Sequence, residues 1–209
     1  MSAPIRAVIL DFGGVISSMR GDVRRQLEAT HGLPPDSVFT TLYRCDAWQE
    51  VERGRGDRDA WLESAHRALE TVAGRPLPRV HDQWRAAFEP IGANVALVRE
   101  LRGSYRVSIL SNADLTLRAR LRDDYGILDL FEDVVCSAEV GCAKPEPQIY
   151  ALACARLALP PAACVFVDDH EPNVRAAGKA GLHGVLHRVE AGDDLRAQLA
   201  ALGVVAPAS

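Results

Sequence analysis

Short, nearly all-apolar runs that stop abruptly at polar residues set the pattern of this chain. Ala7-Val8-Ile9-Leu10 ends at Asp11, Val107-Ser108-Ile109-Leu110 at Ser111-Asn112, Val134-Val135-Cys136 at Ser137, and Cys164-Val165-Phe166-Val167 at Asp168-Asp169. A weaker fifth run is Gly184-Val185-Leu186-His187. Runs this short, without polar alternation, predict strands buried on both faces, as in a parallel sheet. Between them the spacing turns helical. Residues 94–101 put Val95, Leu97, Val98 and Leu101 on one face before Gly103. Residues 115–121 repeat Leu, which reads as core packing. Residues 145–159 open with Pro and Glu, as helix N-termini do, 172–180 stop at Gly181, and 193–202 precede Gly203. Strands alternating with helices predict an α/β, doubly wound parallel sheet with right-handed crossovers.

One stretch breaks the alternation. From about residue 17 to 88 the pattern is helical, over 22–30, 36–45, 57–72 and 80–88, with no convincing strand. Gly32-Leu33-Pro34-Pro35, Gly54-Arg55-Gly56 and Gly74-Arg75-Pro76 punctuate it. An insert directly after the first strand lies at the carboxyl edge, where open α/β sheets bind their ligands. It is therefore expected to act as a lid.

Composition narrows the functional classes. The 209 residues are 48% hydrophobic and 25% charged, enough to bury a core without disulfides or a structural metal. No apolar run approaches the roughly 18 residues of a membrane span, and Met1-Ser2-Ala3-Pro4-Ile5-Arg6 runs into a strand rather than a secretion signal. A net charge of −4 with no Lys/Arg block argues against nucleic acid as a partner. The cations are 22 Arg and two Lys, Lys144 and Lys179. Arg does not replace Lys where a compact ammonium is needed, so each Lys invites a functional question. Five cysteines form no CxxC and no zinc spacing, and Cys136, Cys154 and Cys164 sit in apolar stretches. They read as reduced core thiols, and a cytoplasmic location, with the protein a monomer or homodimer, is expected.

Parallel strands bring their carboxyl ends to one edge, so Asp11, Ser111-Asn112 and Asp168-Asp169 should converge. Carboxylates from two strands make a hard, oxygen-rich pocket suited to Mg²⁺, which keeps water and substrate phosphate in its remaining positions. Ser111 and nearby backbone N–H groups can donate to phosphate, and Lys144, just before a helix, can add a point charge.

Four ordered motifs resemble those of the haloacid dehalogenase-like hydrolases. They are Asp11-Phe12-Gly13-Gly14-Val15, then Ser111-Asn112-Ala113, then Lys144-Pro145-Glu146-Pro147-Gln148-Ile149-Tyr150, then Val167-Asp168-Asp169 followed by Asn173 and Ala176-Ala177-Gly178. The resemblance covers nearly the whole chain. It implies a Rossmann-like core over 1–16 and 91–209 and a helical C1 cap over 17–90. It also implies a nucleophilic Asp11 that forms an aspartyl-phosphate. Mg²⁺ would be held by the Asp11 carboxylate, the Gly13 carbonyl and the fourth motif, with Asp169 the first choice of ligand and Asp168 the second. Ser111, Asn112 and Lys144 would serve the phosphate, with Lys144 also restraining Asp11. The substrate class implied is a small phosphomonoester.

The chain departs from the phosphatase pattern at Gly13, where most such enzymes carry a second Asp that protonates the leaving group and then activates water. General acid–base help of that kind is worth about 10²–10⁴ in rate. His170 or Glu52 could replace it, the substrate could have a good leaving group, or the protein could bind phosphate ligands without turnover. A metal-independent 2-haloacid dehalogenase also lacks that Asp, but it would leave Asp168-Asp169 surplus. In the insert, Trp48-Gln49-Glu50-Val51-Glu52-Arg53-Gly54 resembles a stretch common in these caps, and Trp48, Glu52 and Arg53 are the expected specificity residues. Arg20 and Arg24 are weighed equally as substrate contacts and as a solvated helix face. Asp114 is expected to cap the helix after Ser111. His66, His81, His183 and His187 suggest no pairing.

Overall fold

A computed structural model describes residues 4–206. Strand β1 (Ala7–Leu10) is followed by the two-residue β2 (Ser17–Ser18). The helices α1 (Gly21–His31), α2 (Ser37–Tyr43), α3 (Asp46–Val51), α4 (Arg58–Ala73) and α5 (Val80–Ala86) come next. The chain returns through β3 (Glu89–Pro90) to α6 (Gly92–Leu101) and β4 (Arg106–Ser111). It continues with α7 (Leu117–Ala119), β5 (Asp133–Cys136), α8 (Ser137–Val140) and α9 (Pro147–Arg156). The last elements are β6 (Cys164–Asp168), α10 (Glu171–Lys179), β7 (His183–Leu186) and α11 (Leu195–Ala200).

The five long strands form one parallel sheet in the order β5-β4-β1-β6-β7. Alternation divides the side chains between its faces. Val8 and Leu10 join a buried cluster with Val98, Leu101, Leu117 and Leu199. Ala7 and Ile9 join another with Ile149, Tyr150, Phe166 and Ala177. Both faces are thus covered by helices, as the uninterrupted apolar strands predict. The strands ending in Asp11, Ser111 and Asp168 are neighbours, with β1 between β4 and β6.

Helices α1–α5 bury a third cluster of their own, in which Trp48, Trp61 and Trp84 pack with Val38, Leu42 and Leu69. At its base β2 pairs antiparallel with β3, Ser17 opposite Pro90 and Ser18 opposite Glu89. This short ribbon corrects the all-helical reading of 17–88. Two residues are too few to show a period, so the pairing is a tertiary event.

Two further segments differ from expectation. Residues 46–51 form α3, which the pattern did not reveal. The leucine repeat over 115–121 is not one core-facing helix: Leu117 and Leu121 are buried, but Leu115 is 65% exposed. Asp114 accepts hydrogen bonds from the Thr116 N–H (2.8 Å) and hydroxyl, which holds 114–116 in a turn before α7. Helix α7 then widens into a π-helical turn over Arg120–Asp124, closed by the Tyr125 N–H on the Arg120 carbonyl at 3.0 Å.

Candidate active site

Asp11 follows β1 directly, and its backbone N–H still bonds the Val167 carbonyl of β6 at 2.8 Å. The strand pairing therefore fixes the carboxylate beside the end of β6. Lys144 lies before α9, across a cis Lys144–Pro145 peptide. Its Nζ stands 2.9 Å from Asp11 Oδ1 and 2.7 Å from Asp168 Oδ2. Asn112 secures that lysine: its side-chain oxygen accepts the Lys144 N–H at 2.8 Å, and its amide donates to the Lys144 carbonyl at 3.0 Å.

Asp168, at the end of β6, is wholly buried. Its Oδ1 accepts the His170 N–H at 2.7 Å, and the Asn173 amide donates to both carboxylate oxygens at 3.2 and 3.1 Å. Its neighbour Asp169 opens into the cavity instead. Oxygens of Asp11, Asp168 and Asp169 all lie within 4.8 Å of one another. The turn after Asp11 is shaped to admit Asp169. Gly14 sits at φ +75°, and a Cβ there would fall 2.1 Å from Asp169 Oδ2. Only glycine meets both demands.

Three carboxylates around one ammonium leave excess negative charge in a buried place. Burial pushes Asp11 up to about 7. Lys144 opposes the rise, while Asp168 and Asp169 add to it. Burial, then the charge of Asp168, raises Asp169 to about 6. Burial disfavours the Lys144 ammonium, but Asp11 and Asp168 outweigh that and hold it above the ordinary lysine range. A divalent cation would relieve the repulsion, and three hard oxygen donors from two strand ends are the ligand chemistry Mg²⁺ takes.

In front of the acids lies a cavity of about 370 Å³. Asp11, Gly13, Ser111, Asn112, Asp169 and His170 line it from the sheet side. Trp48 and Glu52 line it from the insert. Arg53 does not. Its guanidinium bonds Glu52 Oε1 at 2.9 Å and Glu146 Oε1 at 2.6 Å, tying the insert to the loop that carries Lys144. Gly54 allows this approach, since at φ +70° a Cβ would meet the Ala138 carbonyl oxygen at 2.2 Å. Burial raises the Glu52 carboxyl, and Arg53 limits the rise. Asn112 lines the cavity, but its carboxamide is engaged by the Lys144 backbone. Neither Arg20 nor Arg24 lines the cavity, and each pairs with acids, Arg20 with Asp22 at 2.8 Å and Arg24 with Glu28 at 3.3 Å.

The sequence pattern gave no notice of several groups here. Ser137 braces the Ser111–Asn112–Ala113 turn, its hydroxyl accepting the Ala113 N–H at 3.0 Å. Phe39, Tyr43, Trp61 and Phe88 form an aromatic wall, and Arg44, Arg85 and Arg120 also face the cavity. Phe39 and Tyr43 stand four residues apart, a spacing that a closed helical core produces equally. Of the unplaced histidines, His81 is buried against the Thr41 hydroxyl at 2.9 Å, and its imidazole is lowered to about 4, mainly by burial. His187 is buried between Asn94 and Gln198.

A parallel α/β sheet thus gathers a carboxylate, a hydroxyl, a lysine and two further acids at its carboxyl edge, an arrangement suited to a hydrolase. Residues 5–181 match the haloacid dehalogenase-like hydrolases, and the chain belongs to that family. Acyl-CoA dehydrogenase family member 10 of Mus musculus is 27% identical over 187 residues, covering 86% of this chain; the chain spans only 18% of that relative's length. The sesquiterpene phosphatase astK of Aspergillus oryzae is 26% identical over 186 residues, covering 88% of this chain and 91% of the phosphatase. A family enzyme from Bacteroides thetaiotaomicron, solved with magnesium and inorganic phosphate, superposes with a TM-score of 0.70 at 20% identity, covering 91% of this chain and 97% of that one. The L-2-haloacid dehalogenase PA0810 superposes at 0.60 with 24% identity, covering 85% and 82%. Among the described residues no helix is long and apolar enough to cross a membrane.

Proposed function

We propose that this hydrolase is a Mg²⁺-dependent phosphohydrolase acting on a small phosphomonoester, with Asp11 as the nucleophile. The observation that carries the reading is the placement of Lys144 between Asp11 and Asp168, with Asp169 completing a three-acid group that opens onto the cavity. Asp11 attacks phosphorus in line with the ester oxygen; the ester P–O bond breaks, the alcohol departs with a proton from Glu52, His170 or solvent, and water hydrolyses the aspartyl-phosphate to inorganic phosphate and free Asp11. Lys144 holds Asp11 in place and carries positive charge toward the phosphoryl oxygens. The Ser111 hydroxyl, at the end of β4, donates to the same oxygens. Asn112 is a positioning residue that keeps the Lys144 backbone in register. Mg²⁺, held by the Asp11 carboxylate, the Gly13 carbonyl and Asp169 with Asp168 behind, would neutralise the phosphate and the excess charge of the acids. Helices α1–α5, residues 17–90 with their connections, act as the cap over the site, and Trp48 and Glu52 contribute to substrate choice from it.

Metal-independent haloacid dehalogenation fits the site less well, because Asp168 and Asp169 would then repel Asp11 with only Lys144 to oppose them. The relative named a phosphatase and the structural neighbour holding magnesium and phosphate support the phosphoryl reading. Phosphate release from a panel of phosphomonoesters and acyl phosphates, with Mg²⁺ and with EDTA, tests it. Release should require the metal and vanish in Asp11→Asn. Chloride release from haloacids, or tight phosphate binding with no turnover on any ester, would replace this reading with the dehalogenase or with a non-catalytic binding protein.

A further inference from the structure

The cavity in front of Asp11 is also lined by arginines that the proposed phosphate site does not use, Arg85 and Arg120 among them. Arg85, on α5, has a side chain only 16% exposed, its guanidinium 5.6 Å from the centre of the Trp61 ring. Among the described residues its one carboxylate within 4.0 Å is that of Asp114, at 3.8 Å, whose Oδ1 is already committed to Thr116 and whose Oδ2 also faces Arg58 at 3.4 Å. Arg120 opens the π-helical turn and lies 4.8 Å from the centre of the Phe12 ring. Among the described residues no carboxylate comes within 4.0 Å of it. The nearby Asp123 is paired with Arg122 at 2.7 Å.

The two guanidiniums belong together. Both act on the Tyr43 hydroxyl, opposing the rise that burial imposes on it. Arg85, Phe88 and Arg120 also border a second cavity of about 340 Å³, which none of Asp11, Ser111 and Asp169 lines. They therefore mark the side of the active-site cavity that adjoins this second one, whose lining also includes Asp123 and Asp124. The aromatic wall of Phe39, Tyr43, Trp61 and Phe88 lines the same active-site cavity. Under-neutralised guanidiniums stacked on aromatic faces keep their hydrogen-bond forks free for an anion. A π-helical turn departs from the regular helix to place one of them there.

We propose that Arg85 and Arg120 form a second anion site, and that the substrate is a phosphomonoester with an apolar or aromatic body whose far end carries another anionic group, a carboxylate or a second phosphate. This rests on the phosphohydrolase reading above and adds the substrate class to it.

The test uses the full chain with Mg²⁺ and needs no knowledge of the natural substrate. Two pairs of rigid phosphonates are compared by calorimetry: 4-carboxybenzyl- against 4-methylbenzylphosphonate, and the corresponding biphenyl pair for a longer reach. Turnover of the matching phosphate esters is measured in parallel. The carboxylated member of at least one pair should bind about 10- to 100-fold more tightly, the range of a charge-assisted hydrogen bond. That ratio should fall toward one in Arg120→Met and Arg85→Met and be largely kept in Arg120→Lys. A biphenyl phosphate with a terminal phosphate in place of the carboxylate distinguishes the two anions. Equal affinities within both pairs overturn the proposal. So does a preference that survives both Met variants, or an equal loss for both members of a pair, which would place the arginines on the transferred phosphate. Calorimetric preference without phosphate release from any ester leaves the second anion site standing and overturns the phosphohydrolase reading instead.

Discussion

Lys144 Nζ lies 2.9 Å from Asp11 Oδ1 in a pocket where the lysine side chain is 1% exposed and that of the aspartate 12%. The same ammonium reaches the wholly buried Asp168 at 2.7 Å. One cation thus joins the ends of two adjacent strands, and its loss would leave two buried acids without a counter-charge. Lys144→Met should cost about 3–5 kcal/mol of stability, as breaking a buried ion pair does. Denaturant unfolding checks this, and phosphate release should be lost with it. Lys144→Arg should not restore activity, because a planar fork does not fit where a compact ammonium bridges two carboxylates.

Removal of the proposed nucleophile should separate chemistry from stability. Asp11→Asn should abolish turnover, by at least ~10³-fold. The same variant should make the metal-free protein more stable at pH 8, by about 1–4 kcal/mol, because ionised Asp11 is held there against burial and two acids. Near pH 4, where the wild-type carboxyl is protonated in the fold, the gain should disappear. Thermal unfolding in EDTA at the two pH values measures it.

Metal removal should reveal the same electrostatics in the wild type. Asp11 at about 7 and Asp169 at about 6 both lie above their unfolded value of 3.8. Between those limits the native state binds more protons than the unfolded one, so stability in EDTA should fall as pH rises from about 4 to 7 and then level off. Added Mg²⁺ should flatten that slope and raise the melting temperature most at pH 7 and above. A slope unchanged by Mg²⁺ would mean that the three acids do not hold the ion.

Gly14→Ala tests the turn beneath Asp169. The new Cβ would stand 2.1 Å from Asp169 Oδ2 at a φ of +75°, so either the backbone or the acid must move. A stability loss of about 1–3 kcal/mol is expected from the backbone alone. A rise in the Mg²⁺ concentration needed for half-maximal activity should report displacement of Asp169.

Gly13→Asp asks what the missing acid is worth. A Cβ at this position meets only Met19 Sδ at 3.4 Å, so the side chain can enter the cavity without rebuilding the turn. Turnover of esters with poor leaving groups should rise by about 10-fold or more, and that of p-nitrophenyl phosphate much less, because general acid help matters most where the leaving group is basic. Equal turnover of both in variant and wild type would assign the acid–base work to a group already present, with Glu52 and His170 the cavity-lining candidates.

The strand-end residues show how much of this site is local information. Four short apolar runs, each ending in Asp or Ser, predict a buried parallel sheet. The pleat and the common strand direction then carry Asp11, Ser111 and Asp168 to one edge whatever else the chain does. The helical character of most of the insert was equally legible, since Trp61, Ala65 and Leu69 recur at helical spacing. Other features depended on contacts between segments far apart in the chain. The β2–β3 ribbon joins residues about seventy apart, and neither half has a pattern of its own. That Arg53 ties the insert to Glu146 rather than entering the cavity depends on the close approach of Gly54 to Ala138. Ser137 looks like an ordinary turn residue, and Asn112 like a phosphate ligand, until folding supplies the backbone groups they bind. Arg85 and Arg120, thirty-five residues apart, become one feature only when α5 and the π-helical turn meet across the cavity. Period and strand polarity act over a few residues and can be read directly. Charge balance and cavity shape are sums over neighbours that only the tertiary fold assembles.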